Sequence, residues 1–376
     1  MKNHGRTSVH EFVGDFIVYR NLEAADLRLP RLSKAWGTVG HRQGTIPRKS
    51  ELSYARVVAH LLHAARALEV PRADVARLIF VGDTRLNDGT AFANLCAVGG
   101  WPGAAFIGAE SPEPPRVEVV EQGATALYLA NRWAALAGFE GFCRERGLLI
   151  DEGTAVVLDL DKTTLGARGR NDGVIDRARV EAVERTVAGL LGDEYDSAAF
   201  LAAYGRLNRP EFHSFTADNQ DYLAYVCLIL GSGLMGLDSL VAQVRSGEMA
   251  SFRQFIAAVE GQAGRLLPGL REVHGEILGR VQAGDPTPFK AFRANEYRTT
   301  AARLGCLADD ASLEQLLAEE ILITQEVREV ALRWRAQGAL LFALSDKPDE
   351  ASVPPPDLAA QGSEAIHRTA THAVGG

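Results

Sequence analysis

Two aspartates, Asp159 and Asp161, follow the continuous apolar run Ala155-Val156-Val157-Leu158. The two-residue period of a strand sends both carboxylates to one side of its end, and open α/β sheets bind ligands at that end. Such a pair suits phosphoryl chemistry: one carboxylate attacks phosphorus, and the other, held protonated, donates to the leaving group and later activates water. Two carboxylates and a phosphate repel one another strongly at close range. A hard, oxygen-liganded Mg²⁺ is the expected remedy, and it also neutralises charge that develops during transfer.

The stretch Asp159-Leu160-Asp161-Lys162-Thr163-Thr164 resembles the first motif of the haloacid dehalogenase superfamily, an apolar strand followed by D-x-D-x-T. Leu340-Leu341-Phe342-Ala343-Leu344-Ser345 is similar to its second motif, and Val81-Gly82-Asp83 with Asp88 is similar to its acidic metal motif. The resemblance implies a magnesium-dependent phosphohydrolase acting on a small phosphorylated metabolite through an aspartyl-phosphate. By the same likeness Asp159 is the nucleophile and a metal ligand. Asp161 is the general acid and base and lends a backbone carbonyl to the metal. Ser345 and Thr163 face the phosphoryl group, and Asp83 and Asp88 hold or water-bridge the ion. The lysine that steadies the aspartyl-phosphate is Lys49, just ahead of a predicted helix, or Lys347, two residues after Ser345. Lys162 stands where the family often has glycine. The acidic motif precedes the nucleophile, the reverse of the usual order, and only about thirty residues follow Ser345. The likeness therefore implies a circularly permuted core, which is mild when chain ends lie close together at a surface. It covers residues 45–165 and 335–350.

The elements that must position these groups read as an α/β pattern. Apolar spacing predicts a helix from Ser50 to about Glu69. Short buried strands are expected at Leu78–Val81, Ala104–Ile107, Ala155–Leu158 and Ala339–Leu344. A helix is expected from about Ala124 to Arg146, and another over 311–337 closed by Gly338. Between Leu165 and Arg335 only helical periodicity is evident. The expected architecture is a three-layer, Rossmann-like parallel sheet formed by residues 1–164 and 336–376, with an all-helical cap over 165–335. Caps exclude water and choose substrates. Within that cap Lys290, Arg293 and Tyr297 share a helix face. Lys290 and Arg293 are candidates to grip a substrate anion, against the alternative of a solvated cationic face.

The chain has 376 residues and a formal charge of -8, a balance that disfavours nucleic acid or an anionic membrane as the main partner. Met1 to Phe12 is polar, unlike a signal peptide, and the apolar stretch Tyr222–Leu237 is shorter than a membrane span. The four cysteines are scattered, so a reducing cytoplasm is expected. Gly231-Ser232-Gly233-Leu234-Met235-Gly236 spells G-x-G-x-x-G without the strand and acid of a dinucleotide fold and reads as close helix packing. His60 and His63 read as solvated or packed. Two alternatives use the same residues: a phosphotransferase or phosphomutase with another acceptor, and a non-catalytic module that binds a phosphorylated ligand. Substrate identity and oligomeric state are not encoded in these patterns.

Overall fold

The computed structural model describes residues 1–39 and 46–376, so Thr45, the first residue of the family likeness, lies outside it. The chain forms two compact units, Met1–Arg177 with Thr300–Gly376, and Ala178–Thr299.

The first unit carries ten strands among the described residues: β1 (Lys2–Thr7), β2 (Ile17–Val18), β3 (Arg77–Gly82), β4 (Gly103–Gly108), β5 (Val117–Gln122), β6 (Thr125–Ala130), β7 (Thr154–Asp159), β8 (Ile323–Thr324), β9 (Leu340–Leu344) and β10 (Thr371–Gly375). Seven form one sheet in the order β2-β9-β7-β3-β4-β6-β5, parallel except at the β5 edge. Strands β4, β7 and β9 are buried along their whole length. That explains their unbroken Val, Leu, Ile and Ala runs: helices cover both faces of a parallel sheet, so no position faces water. Helix Leu52–Glu69 packs against helix Asn87–Gly99 and against β9, with Val58, Leu61 and Leu62 fully buried.

Two expected helices are interrupted. Residues 125–130 form β6, paired with β4 and joined to β5 by a tight turn in which Gly123 has φ +68°; the helix begins only at Leu136. Thr125-Ala126-Leu127-Tyr128-Leu129-Ala130 is a short apolar run whose period does not distinguish strand from helix, and the open edge of β4 decides it. The predicted helix 311–337 divides into Leu313–Glu319, β8 and Gln325–Ala336. The chain leaves the helix at Glu320, whose buried carboxylate accepts bonds from the backbone of Leu307 and His372 and from the Thr371 hydroxyl. Strand β8 then pairs with β10, and β10 with β1, in a second, three-stranded sheet.

The second unit is helical, with a core of its own that includes Val187, Phe200, Leu223, Val226, Phe255 and Ile277. It is shorter than the expected 165–335, because residues 165–177 and 300–335 belong with the sheet-bearing unit. The G-x-G-x-x-G segment links helices Gln220–Gly231 and Leu237–Ser246, and a Cβ at Gly231 would lie 2.5 Å from Leu191 Cδ1. Close packing accounts for that glycine. No helix among the described residues is long and apolar enough to cross a membrane.

Candidate active site

Strand β7 lies between β3 and β9, with Leu158 level with Val81 and Asp159 level with Leu344. The chains leaving these three strands therefore bring Asp83, Asp159 and Ser345 to one end of the sheet. Asp159 is buried, and its Oδ1 lies 2.6 Å from Nζ of Lys49, which lies 2.6 Å from Oδ1 of Asp88 as well. Lys49, Asp88 and Asp159, distant in sequence, thus form one buried ion cluster. Lys347 Nζ donates to Thr300 Oγ1 at 2.8 Å, and its backbone N–H donates to Ser345 Oγ at 3.0 Å. Lys49, one of the two candidate lysines, thus contacts Asp159 directly.

Asp88 stands in the first turn of helix Asn87–Gly99 and serves two ends. Its Oδ2 accepts the backbone N–H groups of Asp83 and Thr84, at 3.0 and 2.8 Å, and the Thr84 hydroxyl at 2.9 Å, closing the loop after β3. Its Oδ1 faces Lys49. Gly82 is required here, because a Cβ would come within 2.6 Å of Asp88 Cβ. Asp83 Oδ2 accepts from Arg168 Nε at 2.5 Å. Asp161 takes no part in the carboxylate cluster; its Oδ2 accepts from Ser345 Oγ at 2.8 Å.

The loop after Asp159 is held from within. Thr164 Oγ1 donates to the Asp159 carbonyl at 2.6 Å, and Arg168 N–H to the Lys162 carbonyl at 2.7 Å. Lys162 adopts φ +62°, a left-handed conformation that costs a residue with a side chain about 1–2 kcal/mol. Glycine would avoid that cost, but the Lys162 ammonium holds both oxygens of Asp176 at 2.8 Å. Thr163 is fully buried, and its hydroxyl has no hydrogen-bond partner among the described residues.

The electrostatics are those of too many acids in one dry place. Burial, reinforced by the Asp88 charge, pushes Asp83 up to about 7 against the pull of Arg168. Asp159 is raised well above the carboxylate range by burial and by its two acidic neighbours, although Lys49 opposes this. Burial would also raise Asp88, but Lys49 and the bonds to its second oxygen bring it down to about 2. Lys49 is depressed by burial and lifted more by Asp159 and Asp88, so it stays an ammonium. Asp83, Asp88 and Asp159 each offer an oxygen within 4.8 Å of the others. Oxygen-only donors with surplus negative charge fit a hard divalent cation of the Mg²⁺ type.

Lys290 and Arg293 lie in the helical unit. Arg293 is buried rather than solvated; its guanidinium is committed to Asp221 and to Glu296, at 2.5 Å from Glu296 Oε2. The ammonium of Lys290 reaches Thr287 Oγ1 at 2.8 Å and Asp285 Oδ2 at 3.0 Å. Sequence reasoning passed over Arg168 and, though it placed Thr164 in the motif, gave that residue no role. A signal existed in Gly166 and Gly169, with φ of +65° and +74°, which mark a tight loop directly behind the aspartates.

Fold and site together define an α/β protein with a mostly parallel sheet and a buried aspartate-lysine cluster at the carboxyl ends of its central strands. No family model, curated protein or solved structure matches the chain.

Proposed function

We propose that this protein is a divalent-cation-dependent phosphohydrolase that works through an aspartyl-phosphate on Asp159. The observation that carries the reading is the Lys49 ammonium, 2.6 Å from both Asp159 and Asp88, with Asp83 in the same cluster. Support also comes from Asp161 and Ser345, hydrogen-bonded to each other beside the nucleophile. The resemblance to the haloacid dehalogenase superfamily fits a permuted core: β7 is flanked by the strands bearing the serine and the acidic motif, and β1 pairs with β10. In that reading the helical unit is the cap. Four unpaired cysteines fit a cytoplasmic setting.

In the proposed reaction, an Asp159 oxygen attacks phosphorus in line and the bond from phosphorus to the ester oxygen breaks. Asp161 gives its proton to that oxygen, releasing an alcohol. Asp161 then takes a proton from water as the water oxygen attacks phosphorus, which frees orthophosphate and restores the Asp159 carboxylate. Lys49 and Ser345 neutralise and orient the phosphoryl oxygens. Asp83, Asp88 and Asp159 would hold Mg²⁺, which supplies charge neutralisation and keeps Asp159 ionised when bound. A phosphotransferase would use the same groups with another acceptor.

The test is Mg²⁺-dependent phosphate release from p-nitrophenyl phosphate by the wild type and by Asp159→Asn at matched folding. The expected result is a loss of at least a thousandfold in the variant and abolition by chelator. Equal rates in both proteins would refute the nucleophile. Inactivity of both, with no Mg²⁺ binding, would favour a non-catalytic module.

A further inference from the structure

The helical unit holds a cavity of about 370 Å³ that its own side chains leave unfilled. Val187 and Leu191 wall it from helix Asp172–Leu191, Phe200 and Ala203 from helix Ser197–Leu207, and Cys227 from helix Gln220–Gly231. All five are buried. Protein interiors leave few voids larger than a water molecule, whereas small-molecule sites occupy about 300–1,000 Å³. By size this cavity is a site rather than a packing fault. Ala199 and Ala202 stand exposed on its rim, and their small side chains leave an entrance.

The G-x-G-x-x-G segment forms the remaining wall. Gly233 needs to be glycine for its φ of +69°, and Gly231 for its approach to Leu191. Gly236 has neither reason. Its backbone is extended, with φ -88° and ψ 144°, and a Cβ there would meet nothing within 4 Å. A side chain is absent where one would fit, beside a cavity that is open.

The chemistry of the walls selects the ligand. No Lys, Arg or His lines the cavity among the described residues. Its one carboxylate, Asp196, accepts the Ala199 N–H at 3.0 Å as a helix cap, and the Tyr195 hydroxyl donates to Glu184 Oε1 at 2.9 Å. Burial pushes the Cys227 thiol up to about 12, so it is neutral. A charged ligand would enter without a counter-ion and lose its hydration. Water needs about two to four polar partners, which the aliphatic and aromatic walls do not offer. The flexible thioether of Met235 beside Phe200 suits an apolar chain of variable shape.

We propose that this cavity is a binding site for a small, uncharged, apolar molecule of the medium-chain alkyl type. The proposal is independent of the chemistry at Asp159, since every residue lining the cavity belongs to the helical unit.

The experiment titrates n-octanol into the full chain carrying isotope-labelled methionine methyl groups and follows them by NMR. Of the methionines Met1, Met235 and Met249, it is Met235 that lines the cavity. The expected result is a saturable shift of the Met235 methyl with the other two unmoved, and octanoate and octylamine binding at least about tenfold more weakly. Ala203→Leu, which puts bulk inside the cavity, should lower octanol affinity about tenfold or more. Ala199→Leu narrows the entrance from an exposed position and serves the same purpose if the first variant does not fold. No saturable shift at Met235, or equal movement of all the methyls, overturns the proposal. Binding that survives both substitutions also overturns it, by placing octanol elsewhere, and octanoate binding as tightly as octanol overturns the uncharged ligand class.

Discussion

Asp83 couples the site to pH. Its carboxyl is pushed up to about 7, whereas in the unfolded chain it would titrate near the usual carboxylate value of about 4. The folded protein therefore binds more protons between those limits, and metal-free stability falls as pH rises from about 4 through about 7. Asp88, down at about 2, has already delivered its stabilisation above pH 4 and adds no slope in this window. A divalent cation reverses the trend, because it binds the ionised carboxylates and must displace the protons from Asp83 and from Asp159, both raised in the metal-free site. The expected outcome is a melting temperature that drops between pH 5 and 8 in chelator and recovers with Mg²⁺, together with Mg²⁺ affinity that rises over the same range. Arg168 tempers the shift through its 2.5 Å bond to Asp83. Arg168→Gln should raise the pH of half-maximal Mg²⁺ binding by about one unit, measured by calorimetry; an unchanged pH profile would show that Arg168 does not tune Asp83.

At the scale of elements, buried charge in the helical unit shows what ion pairs between helices are worth. Asp221, on helix Gln220–Gly231, is fully buried and pushed up to about 6 by that burial, against the pull of Arg293 on helix Lys290–Ala301. Removing the arginine strands a carboxylate in the core. Arg293→Met should cost about 3–5 kcal/mol at pH 8 and less at pH 5, where Asp221 can take up a proton; denaturant titrations at the two pH values measure this. The same residue marks a limit of sequence reading. Spacing put Arg293 on a helix face with Lys290, but whether that face meets solvent or an acid from another helix is decided by packing. The central strands were legible because parallel sheets bury unbroken apolar runs, and Asp159, Asp161 and Ser345 were legible as their ends. Strands β1, β2, β5, β6, β8 and β10 were not: β1 is polar and exposed, the β6 run has no period that separates strand from helix, and β1, β8 and β10 take their form from partners remote in sequence or on another element. Lys49 was legible only as one of two lysines, since its distance to Asp159 is a tertiary fact.

On the scale of the whole molecule, chain order and site geometry are separable. Antiparallel pairing sets Lys2 of β1 opposite Gly375 of β10, and paired residues lie about 5 Å apart. A linker of about four residues can therefore join the two ends. The turn after helix Leu136–Glu145 offers the other cut, because Arg146 and Gly147 are exposed and Gly147 has φ +71°. A permutant opened between them and closed through β10 and β1 would present Asp159, Ser345, Lys49 and then Asp83 and Asp88, the order implied by the family resemblance. None of the contacts among Lys49, Asp88 and Asp159 depends on the bond that is cut. We expect this permutant to fold, with a melting temperature within about 5 °C of the wild type, since loop closure changes stability only weakly with connection length. Its Mg²⁺ affinity should stay within about threefold. If instead it folds but binds Mg²⁺ no better than Asp159→Asn, the present chain order contributes to the site itself, and the proposed relation by permutation fails with it.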